Sequence, residues 1–305
     1  MKSVTAPGKL MIAGEYAVLE GATAIVAAVN LRASVGGTDV EREVPKEVAE
    51  TRALAERLFA RNMGALAIDV HELRREHGKL GLGSSAALSA ATAGLAFACN
   101  GEDISQQQVR AHVFDLALRG HRAVAPDGSG ADVAASVFGG ILQFTMPGTI
   151  AEQPWTCPIS TRVVWTGKEA RTSELVAKVQ AFKASAPKEY DLKIAQLSRA
   201  ADAMRDALAS SSAINLLLAV NEHHHAMNSF GDAAEVALVD ETLAEIAELT
   251  HSHGGASKAS GAGGGDVALC FFKDEAAAAR FETKCEHSRF TVLPLEIGAE
   301  GVAAS

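Results

Sequence analysis

The sequence predicts an α+β protein of two domains. Its 305 residues exceed the usual span of one domain. Helical and strand patterns are mixed in both halves without a strict strand–helix–strand repeat, which favours α+β over a doubly wound sheet. Between the halves, residues 146–158 carry three prolines and no hydrophobic period, the mark of a boundary. The domains are therefore expected at 1–150 and 151–305.

Lys9 to Leu19 (KLMIAGEYAVL) and Thr23 to Val29 are short apolar segments punctuated by Gly14 and Gly21, and they predict an opening hairpin. Thr51 to Arg61 reads as a short helix and Ala65 to Val70 as a strand, followed by the charged run HELRREHGK. A helix is expected from about Ser85 to Ala98, closed by Asn100 and Gly101, which suit the left-handed conformation at a helix C-terminus. Ser105 with Gln108 fits a capping box ahead of the helically spaced Val109, Val113, Leu116 and Ala117. The tight loop PDGSG leads into a short helix and then a strand at Ile141 to Phe144. The second half opens with the strand TRVVWTG and continues through long helices, among them Ser212 to Phe230. Asp240 caps a helix carrying Leu243, Ile246, Ala247 and Leu249 that stops at Gly254 and Gly255. The loop SKASGAGGGD, the strand VALCFF, a helix from Asp274 and a last strand TVLPLEI complete the chain, with no repeats.

Hydrophobic residues make up 48% and charged residues 21%, which excludes global disorder. The net charge is −9 and no run of lysine or arginine stands out, so the footprint of a nucleic-acid partner is missing. A phosphorylated ligand would have to be met locally, by helix N-termini, a few cations or a metal. Cys99, Cys157, Cys270 and Cys285 are widely spaced with no CxxC pair and read as reduced, apolar-packed thiols. The start MKSVTAPGKL lacks an apolar signal core, and the longest apolar run, Ala22 to Val29, is far below the roughly 18 residues of a membrane span. The expectation is a cytoplasmic protein with no membrane partner, a monomer or a homodimer.

The segment GKLGLGSSAALSAATAG carries the strongest local signal. Gly81 and Gly83 let the backbone approach a ligand, and Ser84 and Ser85 fall where the first helical N–H groups are unpaired, which suits a phosphate. The alternative is an ordinary glycine turn with Ser84 as N-cap. GLGSSA matches the dinucleotide pattern GxGxxA, but that pattern needs an apolar strand directly before it, where this chain has RREHGK. The Walker pattern fails because no Gly-Lys-Ser/Thr follows any glycine loop. A second loop, SGAGGGD at Ser260 to Asp266, holds four glycines at a cost in chain entropy, and close approach of a ligand explains them better than a mere connection. Lys9 and Glu15 in isolation read as surface charges. Asp132, three residues after Ser129, is either part of a capping box or a carboxylate held beside a phosphate loop. His223, His224 and His225 point about 100° apart on a helix and cannot converge on one metal. His251 and His253 read as polar residues at a helix C-terminus.

Three segments in order, APGKLMIAGEYAVLEG (Ala6 to Gly21), KLGLGSSAA (Lys79 to Ala87) and KASGAGGGD (Lys258 to Asp266), resemble the signature motifs of the GHMP kinase superfamily. The resemblance spans nearly the whole chain. It implies an N-terminal α+β domain with a left-handed βαβ unit, a C-terminal ferredoxin-like domain, and ATP and substrate meeting in the cleft between them. Tyr16 and Asp266 resemble the phosphomevalonate kinase branch, where mevalonate kinases usually have histidine and glycine. His121 stands where many members place a magnesium-binding glutamate, and that branch similarly has histidine there. Ala123 to Ala125 depart from the AQG more common in it, and the chain is short for the family.

The resemblance implies ATP and Mg²⁺ as cofactors and a phosphorylated small molecule as substrate. Gly81, Leu82, Gly83, Ser84, Ser85 and Ala86 would hold the ATP phosphates, with Ser85 a Mg²⁺ ligand. Lys9 and Asp132 would be the catalytic pair. Glu15, Tyr16, Ser129, Gly130, Lys168, Arg171, Ser173, Ser260, Gly261, Ala262 and Gly263 would contact the acceptor. A phosphate monoester is already mostly dianionic near neutral pH, so Asp132 is expected to orient Lys9 and the substrate more than to take a proton. The alternatives are a GHMP kinase with a hydroxyl acceptor and a non-catalytic, ligand-sensing relative, against which the presence of Lys9, Ser85 and Asp132 argues.

Overall fold

The computed structural model describes residues 2–75 and 78–305, and it divides into two compact units. The first comprises Met1–Leu10, Val26–Ile150 and Glu296–Ser305, the second Met11–Ile25 and Ala151–Leu295. The break after Ile150 falls in the proline-marked stretch, but the units exchange two segments. Tyr16 and Ala17 join an apolar cluster with Phe182, Tyr190 and Phe230, which draws the tip of the opening hairpin into the second unit. The C-terminal strand Ala303–Ala304 pairs with Val4 and Thr5, which returns the end of the chain to the first.

The opening hairpin consists of β1 (Ser3–Ala13) and β2 (Ala24–Thr38). Helix α1 (Lys46–Phe59) begins a turn before its expected start, because the charged residues of PKEVAE hide a buried position at Val48. Strand β3 (Ala65–Asp69) pairs with β2, and β4 (Arg74–Arg75) forms a small hairpin with β5 (Gly78–Lys79). Then come α2 (Ser84–Cys99), α3 (Gln107–His121), α4 (Ala131–Phe138), β6 (Ile141–Thr145) and β7 (Thr149–Glu152). The sheet runs from the C-terminal strand through β1, β2 and β6 to β7. Helix α2 is apolar or small on every side and packs against α1, α3 and α4, as a helix without a polar face must. It closes as expected, with Asn100 N–H on the carbonyls of Ala96 and Phe97 and Gly101 left-handed. The capping box expected at Ser105 does not form. Asp103 accepts both the N–H and the hydroxyl of Ser105, a charge-assisted local turn that outcompetes a neutral cap, and α3 starts after Gln106.

The second unit is built on an antiparallel four-stranded sheet. Its strands are β8 (Ser160–Trp165), β9 (Gly255–Ser260), β10 (Val267–Phe272) and β11 (Thr291–Leu293), in the order β11-β8-β10-β9. Helices α5 (Thr172–Ser185), α6 (Pro187–Leu208) and α7 (Ala213–Ala233) supply the cluster around Phe230. Helices α8 (Glu241–Ser252) and α9 (Glu275–Glu286) cover Val164, Ala268, Cys270 and Phe272 on one sheet face. The N-cap read at Asp240 forms, and Ser212 and Asp274, read only as helix starts, also cap, each accepting an N–H three residues on. The expected last strand ends at Leu293, where Pro294 withdraws a donor. All four cysteines are free, and burial pushes the Cys270 thiol up to about 12 and Cys285 to about 11, as inert apolar side chains require. Among the described residues no helix is long and apolar enough to cross a membrane.

Candidate functional site

In the first unit the turn before α2 is set by two left-handed glycines, Gly81 (φ 77°) and Gly83 (φ 75°). Gly83, not Ser84, is the N-cap, so no side chain caps the helix and Ser84 and Ser85 are its first residues. The first-turn N–H groups of a 16-residue helix are thus offered to a ligand at its positive end. The Ser85 hydroxyl is buried and has no hydrogen-bond partner among the described residues, while Leu82 and Ala86 anchor the turn in the core. Such an orphaned donor–acceptor asks for an external partner.

Lys9 lies along this turn. Its N–H donates to the Leu82 carbonyl at 2.8 Å and its Nζ to the Gly81 carbonyl at 3.2 Å. A Cβ at position 83 would stand 2.9 Å from Lys9 Cγ, so the glycine is what lets the lysine stem pass. The strand alternation that buries Leu10 turns Lys9 to the opposite face, half-buried and not a free surface charge.

Asp132 opens α4 behind the left-handed Gly130. Its Oδ1 accepts the Val133 N–H at 2.9 Å, and its Oδ2 lies 3.8 Å from Nε2 of His121 at the end of α3. Ser129 accepts the Ala131 N–H at 3.2 Å, so the capping-box alternative is replaced by a shorter turn. Among the described residues Lys9 and Asp132 form no ion pair; the carboxylate faces His121.

In the second unit Glu15, expected as a surface charge when read alone, is 2% exposed. Its Oε1 accepts Lys258 Nζ at 2.5 Å and the Gly261 N–H at 3.3 Å, and its Oε2 lies 3.0 Å from His223 Nε2. Burial would raise the carboxyl, but the charge of Lys258 and the hydrogen bonds of His223 and Lys258 win and hold it at about 2. Burial is also the largest influence on His223 and lowers it, against the pull of Glu15, toward the neutral form. Tyr16 has a left-handed φ of 59°, and its hydroxyl donates to the Ala262 carbonyl at 2.8 Å. Ser260 accepts the Met11 N–H at 2.9 Å. Glu15, Tyr16 and Ser260 therefore tie the segment after β1 to the glycine loop, using their own polar atoms to do so.

The glycines of that loop have an explanation that needs no ligand. A Cβ on Gly263 would lie 2.1 Å from the Leu238 carbonyl, and one on Gly265 3.1 Å from both Lys168 O and Ala170 N. Gly261, Ala262 and Gly264 are only half-buried, so the loop stays partly open at those positions. Lys168 is ion-paired with Asp240, while Arg171 is 78% exposed beside Glu174 and Ser173 is exposed at the start of α5.

The sequence reading missed His223 and Lys258 as members of a site. The signal for His223 was present: with Leu216, Val220, Met227 and Phe230 it keeps the buried phase of α7, and a histidine in such a row needs a buried partner. His224 and His225 leave that row, and burial pulls His224 down to about 4.

A helix N-terminus opened by glycines, with a lysine laid along it and a buried hydroxyl unpartnered among the described residues, has the chemistry to receive a phosphorylated ligand. Residues 44–140 match the model for the GHMP kinases N-terminal domain, and residues 201–290 that for the GHMP kinases C-terminal domain. A mevalonate kinase from Aeropyrum pernix is 30% identical over 97% of this chain and 96% of its own. A phosphomevalonate kinase from a Streptomyces species is 26% identical over 97% of each. A solved structure of Streptococcus pneumoniae phosphomevalonate kinase in complex with phosphomevalonate and AMPPNP superposes with a TM-score of 0.83 at 19% identity, over 97% of this chain and 100% of that one. This chain belongs to the GHMP kinases and has their two-domain α+β fold.

Proposed function

We propose that the chain transfers the γ-phosphoryl group of ATP to 5-phosphomevalonate, forming 5-diphosphomevalonate. The observation that carries this reading is the neighbour of Asp132. His121 faces it at 3.8 Å, where the family resemblance places a second, metal-binding carboxylate. Transfer between two phosphates gathers more negative charge than transfer to a hydroxyl, and an imidazole adds none. Support also comes from a relative of that name that matches the chain almost end to end.

The turn from Gly81 to Ala86 and the N-terminus of α2 fit the phosphates of a nucleotide, and the orphaned Ser85 hydroxyl fits either a phosphate oxygen or Mg²⁺. Mg²⁺ bound there would neutralise charge on the transferring group. Lys9 adds a positive charge beside the same turn. In the transfer, an oxygen of the acceptor phosphate forms the new P–O bond while the bond to ADP breaks. No proton has to leave an acceptor that is already a dianion. Asp132 then serves to orient, and His121 is the group it is placed to act with. We assign acceptor contacts to Ser129, Gly130, Gly261, Ala262, Lys168, Arg171 and Ser173. Glu15, Tyr16, Ser260 and Gly263 shape the loop that carries Gly261 and Ala262.

The mevalonate kinase from Aeropyrum pernix favours a second reading, with a hydroxyl acceptor. ADP release measured with phosphomevalonate and with mevalonate separates the two. The proposal expects turnover with phosphomevalonate; turnover with mevalonate alone overturns it.

A further inference from the structure

Asp266 closes the glycine loop with a φ of 56°, a left-handed conformation in which a side chain is strained. Gly264 and Gly265 stand directly before it, so a third glycine would relieve the strain. The side chain is engaged instead: Oδ1 accepts the Ala170 N–H at 2.9 Å. The Asp266 N–H donates to the Lys168 carbonyl at 2.9 Å, and its carbonyl accepts both the N–H and the hydroxyl of Thr166, each at 2.9 Å. One residue thus binds Thr166, Lys168 and Ala170 of the segment that leads into α5. From the other side, Asp240 pairs with Lys168 while its Oδ1 caps α8 through the Leu243 N–H. The segment carries two cations, Lys168 and Arg171, and delivers Ser173 to the first turn of α5.

We propose that Asp266 is a positioning residue. It fixes Thr166 to Arg171 and thereby presents Lys168, Arg171 and the start of α5 to the anionic group of the acceptor, so that it sets acceptor affinity without touching the acceptor. This rests on the acceptor contacts proposed above. Asp266→Gly removes the carboxylate and the backbone strain together, which spares the fold, and Asp266→Asn keeps an acceptor oxygen and tolerates the left-handed conformation.

The test is steady-state kinetics on the full chain and both variants, together with hydrogen exchange at the Ala170 amide. Asp266→Gly should raise the acceptor KM about tenfold, the effect of losing one charge-assisted hydrogen bond, and leave the ATP KM within about twofold. Ala170 exchange should quicken by a similar factor, and Asp266→Asn should restore both readouts to within about threefold of the parent. Equal rises in both KM values, no rise in either, or failure of Asn to rescue would overturn the inference. If the parent turns over only mevalonate, the phosphorylated-acceptor reading falls. The same KM split, measured with the mevalonate carboxylate as the anionic group, still decides the role of Asp266.

Discussion

Replacing Lys258 with methionine should destabilise the second unit by about 3–5 kcal/mol at pH 7, the range for leaving one member of a buried ion pair alone. Lys258 is 1% exposed, Glu15 2% and His223 0%, so water cannot take the place of the missing ammonium. A second route gives a similar figure. Glu15 held at about 2 against 4.5 means that its partners together outweigh burial by roughly 3 kcal/mol. The depressed carboxyl contributes stability above pH 4.5 that is lost as pH falls toward 2. Without Lys258, burial becomes the dominant influence and the Glu15 carboxyl should rise, so its protonation would relieve the buried charge. The deficit of the variant should therefore shrink as the pH is lowered from 7 to 4. Urea unfolding of both proteins at the two pH values measures this. A loss below about 1 kcal/mol at pH 7, or a deficit that stays constant on acidification, would refute the reasoning. Adding Glu15→Gln should cost much less than the sum of the single changes, because the pair leaves together.

Gly83→Ala places a methyl 2.9 Å from Lys9 Cγ at a φ of 75°, and should cost about 1–2 kcal/mol of stability and raise the ATP KM at least tenfold, with the acceptor KM less affected. Asp132→Asn should lower kcat only about tenfold with phosphomevalonate if the residue orients and does not remove a proton, and a loss of about a thousandfold in the same assay would restore it as a general base.

The nucleotide side of the site was the more legible part of the sequence. Gly81, Gly83 and Ser85 do stand at a helix N-terminus as read, and the alternative of Ser84 as N-cap does not form, because a left-handed glycine closes the turn without a side chain. Fold class, the Asp240 cap and the Asn100–Gly101 close of α2 were readable for the same reason: each depends on residues a few positions apart. The Glu15, Lys258 and His223 cluster joins residues more than 200 positions apart, and no local pattern states that a charge in an apolar strand will find its partners there. The glycines at 263 and 265 were harder to read for a related reason: their neighbours, Leu238 for Gly263 and Lys168 and Ala170 for Gly265, belong to distant segments that pack onto the loop.

In the proposed reaction one phosphate is joined to another. Phosphorus NMR of the product formed from phosphomevalonate, ATP and Mg²⁺ tests it most directly. A diphosphate on the acceptor gives a new pair of mutually coupled phosphorus signals, appearing in step with ADP. ADP release without that pair, or a single new monoester signal formed only when mevalonate is supplied, would contradict it.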